Sequence, residues 1–267
     1  MRRLLPFLCA LVLSQGANAQ HNSHTFELSG QFFNFDYSEV WPIPQRSNEL
    51  GFIPGIALAY TYRGYKVPIY GRASFEYTSS QTTYEGDLNR PDGTFVPLTD
   101  HSSNHFRRFE LQGGYTFRLG RQFTLTPYTG YGYRSWTRIL ADPGGYEEDY
   151  SWSYIPLGVR GDLQLSRTFA LGLNAAFRFM FGGSIHMTDF YDDPTMDLRS
   201  VVGFKISLPS SYRLSQHWSM GIEPWLEYSG IDGSPDHLVA GTTNYYVWEP
   251  QSSTSIFGTN ITVQYGF

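Results

Sequence analysis

Acidic and histidine side chains gather in three polar segments of this chain. Glu85, Asp87, Asp92, Asp100, His101 and His105 share one, His186, Asp189, Asp192 and Asp193 the next, and Asp232, Asp236 and His237 the last. Carboxylates beside a histidine around a cleft can activate a water as general bases. Glu85, Asp87, His186 and Asp189 are the candidates for that chemistry. Metal binding is less well served. Asp100, His101 and His105 supply three donors on a stretch leading into a strand, without the usual ligand set. Asp192, Asp193 and Asp197 lack the spacing of a calcium loop. No nucleotide loop, nucleophile elbow or paired-cysteine motif occurs, so no metal and no cofactor is expected.

These segments hang on a chain of 267 residues, 41% hydrophobic, 17% aromatic and 16% charged. That mixture is too apolar for disorder. Residues 1–19 read as a secretory signal peptide: Arg2 and Arg3, an apolar core over residues 4–13, then Ala17-Asn18-Ala19 as the cleavage site. The single cysteine, Cys9, falls inside it, so the mature domain, residues 20–267, carries no thiol or disulfide. Without Arg2 and Arg3, 17 basic residues face 24 acidic ones, a formal charge of −7 that argues against a nucleic-acid partner. After residue 21 nothing approaches the roughly 18 continuous apolar residues of a membrane helix, and a closed barrel is the remaining way to cross a bilayer.

Side-chain alternation points the same way. Ile69, Ala73, Phe75 and Tyr77 alternate with Tyr70, Arg72, Ser74 and Glu76, and Phe109 and Leu111 with Arg108, Glu110 and Gln112. Similar stripes cover residues 26–37, 52–62, 123–138, 150–163, 171–179, 199–208, 218–228 and 253–267, which makes ten strands. Tight polar turns recur after Tyr115, Gly161 and Ser210, with Leu119, Leu165 and Leu214 spaced 46 and 49 residues apart, and an earlier turn lies at residues 63–66. Longer polar stretches, 38–50, 79–104, 139–149, 183–197 and 230–252, are expected as loops at the other rim. Short turns at one end and long loops at the other are the asymmetry of outer-membrane barrels. The fold class is therefore all-β, a ten-stranded antiparallel up-and-down transmembrane β-barrel.

Tyr115, Phe117, Phe123, Phe169, Tyr212, Trp218 and Tyr265 form an aromatic girdle near the short turns. Ile261, Val263, Tyr265 and Phe267 end the chain on one face, which resembles the carboxy-terminal signature by which the barrel-insertion machinery recognises its substrates. Signal peptide, ten strands, long outer loops and acids in the second and fourth loops together resemble the omptin outer-membrane proteases over the whole mature chain. The resemblance implies an aspartyl-type endopeptidase, with Glu85 and Asp87 as the acidic pair and Asp189 opening an Asp-x-His site. Tyr191 stands where that histidine belongs. Tyrosine, with a reference pKa of about 10, is not a neutral-pH base.

Ten strands leave little more lumen than side chains fill. Arg72, Glu76, Arg108, Glu110, Arg134, Arg160, Arg178, Arg199, Glu223 and Glu227 are expected to line it and neutralise one another. The expected protein is a monomer of a Gram-negative outer membrane, in contact with lipid and lipopolysaccharide, whose role is surface structure or loop-mediated binding of an extracellular ligand without catalysis. A narrow porin-like channel for small solutes and an omptin-like endopeptidase are the alternatives.

Overall fold

The computed structural model describes residues 23–41, 46–89, 94–141, 145–200 and 202–267. The expected signal peptide and Asp92 lie outside them. The described chain forms ten antiparallel strands: β1 (Ser23–Val40), β2 (Ser47–Arg63), β3 (Ile69–Asn89), β4 (Phe95–Tyr115, continued by Phe117–Leu119), β5 (Phe123–Leu140), β6 (Glu147–Gln164) and β7 (Phe169–Thr188), then β8, β9 (Trp218–Ile231) and β10 (Gln251–Gly266). β8 runs in three pieces, Thr195–Leu198, Val202–Ser207 and Ser210–Arg213. Each strand pairs with the next, and β10 pairs with both β9 and β1. The barrel is closed, each of its ten strands pairing with a neighbour on both sides. Phe267 N–H donates to His24 O at 3.0 Å and the two rings stack, so both ends of the barrel chain meet at the short-turn rim.

Apolar side chains face outward. Leu28, Phe52, Ile56, Leu157, Phe177 and Ile261 are all exposed, while Gln31, Arg108, Glu110, Arg134 and Glu227 are buried inside. A water-soluble barrel would reverse these faces. Of the expected girdle, Tyr115, Phe117, Tyr212 and Trp218 are exposed on the outer wall, and Trp218 packs edge-on against Tyr265 at 5.0 Å.

The strands are longer than alternation alone suggested. Residues 79–89 and 95–104, expected as part of a loop, are extended, with β3 and β4 in register from Ile69↔Tyr115 to Asn89↔Phe95. Residues 183–188 and 195–197 likewise belong to β7 and β8. Polarity made these segments read as loops, but Thr82, Thr83 and Tyr84 are β-forming residues whose polar side chains suit a wall with polar surroundings on both faces. A bilayer needs only about 9–11 tilted residues per strand. The 21-residue β3 and β4 therefore reach well past that length at the rim away from the short turns. Glycine makes room for large inward rings: a Cβ on Gly132 would lie 2.0 Å from the Tyr154 ring, and one on Gly258 2.6 Å from that of Trp225.

Candidate functional site

Inward positions of the ten strands stack in layers from the short-turn rim to the outer rim. Nearest the short turns, Arg72 pairs with both oxygens of Glu27 at 2.8 and 2.7 Å, and Asp162 receives Arg63 at 3.3 Å and Arg160 at 3.0 and 3.1 Å. Glu223 and Asn260 line the same space. In the next layer Glu227 accepts from Arg108 at 2.9 Å, Arg134 at 3.1 Å and Arg178 at 2.7 Å, with Lys205 at 4.0 Å. Arg178 also reaches Glu110 at 3.1 Å, Tyr154 donates to Glu110 at 2.5 Å, and Arg108 lies 3.3 Å from Glu76. Four cations thus surround three carboxylates in a belt across the lumen.

Above the belt the lumen is filled by a core that includes Phe35, Tyr37, Phe106, Trp136 and Tyr150. Trp136 stacks on Tyr150 at 4.7 Å and on Phe106 at 5.4 Å, and meets Phe35 and Tyr37 edge-on. Nothing in the sequence reading anticipated this plug. Phe33, Phe35 and Tyr37 share their parity with the inward Gln31, and Trp136 shares that of Arg134, which was the available signal.

Over the plug sits a second buried charge cluster. Arg138 donates through Nε to Glu49 at 2.7 Å and through Nη1 to Glu148 at 2.9 Å, and lies 3.5 Å from Glu39. Asn104 and Thr82 also donate to Glu49, and Trp136 donates to Asn104 at 2.5 Å. Tyr150 donates to Glu249, which precedes β10, at 2.8 Å. Burial, with Glu148 and Glu39 close by, pushes the Glu249 carboxyl well above the usual range. Glu39, Glu148 and Glu249 fell in expected loops, so their convergence on Arg138 and Tyr150 was not foreseen.

Side-chain exposure shows which end of the lumen is wet. It is 40% at Arg63, 23% at Asp162 and 21% at Arg72, then 9% at Arg108, 3% at Glu227, 2% at Arg138 and 0% at Glu49. Water reaches in from the short-turn rim and is shut out toward the outer one.

The residues proposed for catalysis do not converge. Glu85 is exposed on β3, opposite Thr99. Asp87 is engaged by Arg46, whose backbone N–H and guanidinium donate to it at 2.8 and 3.2 Å. His186 is exposed on β7 with Nδ1 2.9 Å from the Thr195 hydroxyl, and Asp189 is exposed with φ 62° in the turn that follows. No hydrogen bond or ion pair among the described residues joins the β3 acids to His186 or Asp189. Of the expected lumen residues, Arg199 is exposed at the outer rim, where its N–H donates to Asp232 O at 3.2 Å. His105 bonds Ser79 at 2.8 Å and His101 is exposed. Among the described residues no group of three or more His, Cys, Asp or Glu side chains is placed to hold a metal.

The outer rim carries aromatic side chains instead. Tyr191, Tyr245, Tyr246 and Trp248 are exposed. The hydroxyls of Tyr191 and Tyr245 are 2.5 Å apart, Phe190 meets Tyr191 edge-on at 4.5 Å, and Trp41 lies 5.9 Å from Trp248. The Tyr191 hydroxyl, donating to that of Tyr245, has its pKa held up to about 12 by that bond. Asp192 accepts from Ala240 N–H at 2.9 Å and sits 3.3 Å from His237 Nε2, which ties the turn after β7 to the small hairpin of His237–Leu238 and Tyr246–Val247. Those two contacts, the backbone one foremost, hold the Asp192 carboxyl below its usual range.

Comparison of the whole barrel with solved structures gives a similarity to the outer membrane protease OmpT from Escherichia coli: TM-score 0.63 over 95% of this chain and 99% of that one, at 11% identity. The chain has the fold of a ten-stranded outer-membrane β-barrel. The translocator domain of the autotransporter NalP from Neisseria meningitidis is a more distant match, with TM-score 0.45 and 10% identity over 93% of this chain and 89% of that one. No protein-family model and no curated protein matches the sequence. At 11% identity the likeness to OmpT is one of fold.

Proposed function

We propose that this protein resides in the outer membrane of a Gram-negative bacterium as a closed monomeric barrel and acts at its outer rim, as a surface-structural or ligand-binding protein rather than a pore. The observation that carries this reading is the loss of exposure along the lumen, ending in the Trp136 plug and the Arg138 cluster with Glu49 fully buried. A solute path needs a continuous wet route, and none passes these two layers. The rim above them displays Tyr191, Tyr245, Tyr246 and Trp248, side chains of the kind enriched in recognition surfaces.

Single-channel recording of the folded protein in a planar bilayer tests this reading. A silent barrel is expected. Steady, ion-selective steps would replace it with narrow solute passage. Exchanging residues 189–194 for a short Gly/Ser turn should then leave the barrel folded and remove whatever surface binding the cell shows; binding untouched by that exchange and by loss of the Tyr245 and Trp248 rings would overturn a rim-based role.

A further inference from the structure

The wet half of the lumen contains a continuous polar cavity. Two spaces of about 80 and 70 Å³, open to solvent, share Glu27, Arg72, Gln112, Asn174 and Glu223 as their common boundary. Most charges around them are matched: Arg72 by Glu27, Arg160 by Asp162, Arg178 by Glu110 and Glu227. The unmatched groups collect on one wall. Register places Gln31 of β1, Asn260 of β10 and Glu223 of β9 on a single rung, all three facing inward. Gln31 is 2% exposed and its Oε1 has no hydrogen-bond partner. Glu223 accepts one hydrogen bond, from Asn260 Nδ2 at 3.2 Å, and has no ion pair within 4.0 Å among the described residues.

The rung is held rigidly. Trp225, next inward on β9, donates through Nε1 to Asn260 Oδ1 at 3.0 Å, which fixes the amide so that its NH₂ points at Glu223. One rung nearer the short turns, the Ser29 and Thr262 hydroxyls satisfy each other at 2.7 Å, and Gly221 beside them puts no side chain into the space. What remains facing the cavity is a Glu223 carboxylate oxygen, with the unpartnered Gln31 amide oxygen closed off from solvent in the wall beside it. A buried acceptor left without a donor costs about 1–3 kcal/mol, so a donor-rich occupant is favoured there. Four carboxylates against three cations line the larger space, which disfavours an anion. A calcium ion would call for six or more oxygens, which this rung does not supply. An ammonium group carries three N–H donors and one positive charge, and matches the acceptors present.

We infer that the Gln31–Asn260–Glu223 rung is a binding site for the protonated amino group of a small organic molecule entering from the short-turn rim. That group is the end of a plain amine or the amino end of a zwitterion. Lys205 bears on the choice. Lys205 lines the same cavity; its Nζ stands 4.4 Å from the centre of the Trp225 ring and, among the described residues, makes no hydrogen bond, its nearest carboxylate being Glu227 at 4.0 Å. It is available to a ligand carboxylate.

Calorimetric titration of the full chain folded in detergent at neutral pH, with butylammonium, β-alanine and butyrate as probes, tests the site. Saturable binding of butylammonium is expected, with at least a tenfold loss in Glu223→Gln and in Gln31→Met, and no binding of butyrate. β-Alanine binding tighter than butylammonium, with the excess lost in Lys205→Met, identifies a zwitterion as the source; equal or weaker binding identifies a plain amine. Ala59→Leu is the independent control: it fills the cavity wall without touching an acceptor and should abolish binding in a barrel whose folded gel mobility is unchanged. Failure of butylammonium to bind the parent chain, or undiminished binding to the folded Glu223→Gln and Ala59→Leu proteins, overturns the proposal.

Discussion

The two halves of the lumen contain the same side-chain types in different surroundings. Near the short turns, Arg72, Glu27, Arg160 and Asp162 form pairs that solvent touches, spaced around open cavities. Toward the outer rim, Arg138 and Glu49 make a pair of similar length with almost no exposure, packed over Trp136 and Tyr150. The difference is set by what fills the rungs between the charges. In the lower half these are Ser29, Ala57, Ala59, Ser74 and Gly221, and in the upper half Phe35, Tyr37, Phe106 and Trp136. Small residues leave water to screen each pair, while large rings exclude it, so each upper charge depends on its partner.

The largest expected effect follows from that dependence. Arg138→Met removes the cation that Glu39, Glu49 and Glu148 share and leaves buried carboxylates uncompensated. Urea unfolding of the detergent-folded barrel should show a loss of about 3–5 kcal/mol, and a loss below about 1 kcal/mol would mean that water reaches the upper cluster after all.

Glu249 sharpens the comparison through pH. Its carboxyl is raised in the folded state, so its favourable contribution is complete below the ordinary carboxylate pKa of about 4.3 and is lost as pH rises toward the folded value, at about 1.4 kcal/mol per unit. The parent barrel should therefore weaken as pH rises above the ordinary carboxylate range, and Glu249→Gln, which keeps an acceptor for Tyr150, should flatten that dependence. Parallel curves for the two proteins would contradict the raised carboxyl.

Arg72→Gln in the wet half removes a pair of good geometry that water already screens. The expected cost is about 1 kcal/mol, several-fold less than at Arg138, and equal costs at the two sites would dissolve the distinction between the halves. Smallest and most local is Asp192. Its depressed carboxyl favours the rim contact above the unfolded pKa and loses that contribution as pH falls through the folded value. The Ala240 amide resonance should follow this titration with a midpoint below the aspartate reference of about 3.9, and should stop titrating in Asp192→Asn.

Much of the wall was legible because a barrel writes its geometry into a period of two. Tyr70, Arg72 and Glu76 against Ile69 and Phe75, or Arg108 and Glu110 against Phe109 and Leu111, state both the strand and its faces. Residues 79–89 and 95–104 were misread because hydropathy contrast vanishes where both faces of a strand meet polar surroundings, although the chain stays extended there. The plug was hidden for the opposite reason. In the run Gln31-Phe32-Phe33-Asn34-Phe35, Phe32 faces outward while Phe33 and Phe35 fill the lumen, and residue type alone does not separate them. The Arg138 cluster draws on β1, β2, β5 and β6 plus Glu249, so only the closed barrel brings it together. The proposed catalytic acids do not meet because each side of the rim is engaged locally, Asp87 by Arg46 and His186 by Thr195.

The most direct test of a lumen that is wet at one end and shut at the other is thiol accessibility. Residues 20–267 contain no cysteine, so a single introduced thiol reports alone. Ser74 lines the wet cavity, and Thr82 is 3% exposed beside Glu49. In the folded barrel, a small charged thiosulfonate should modify Ser74→Cys readily and leave Thr82→Cys unreacted until the protein is unfolded. Equal rates at the two positions in the folded state would contradict the account.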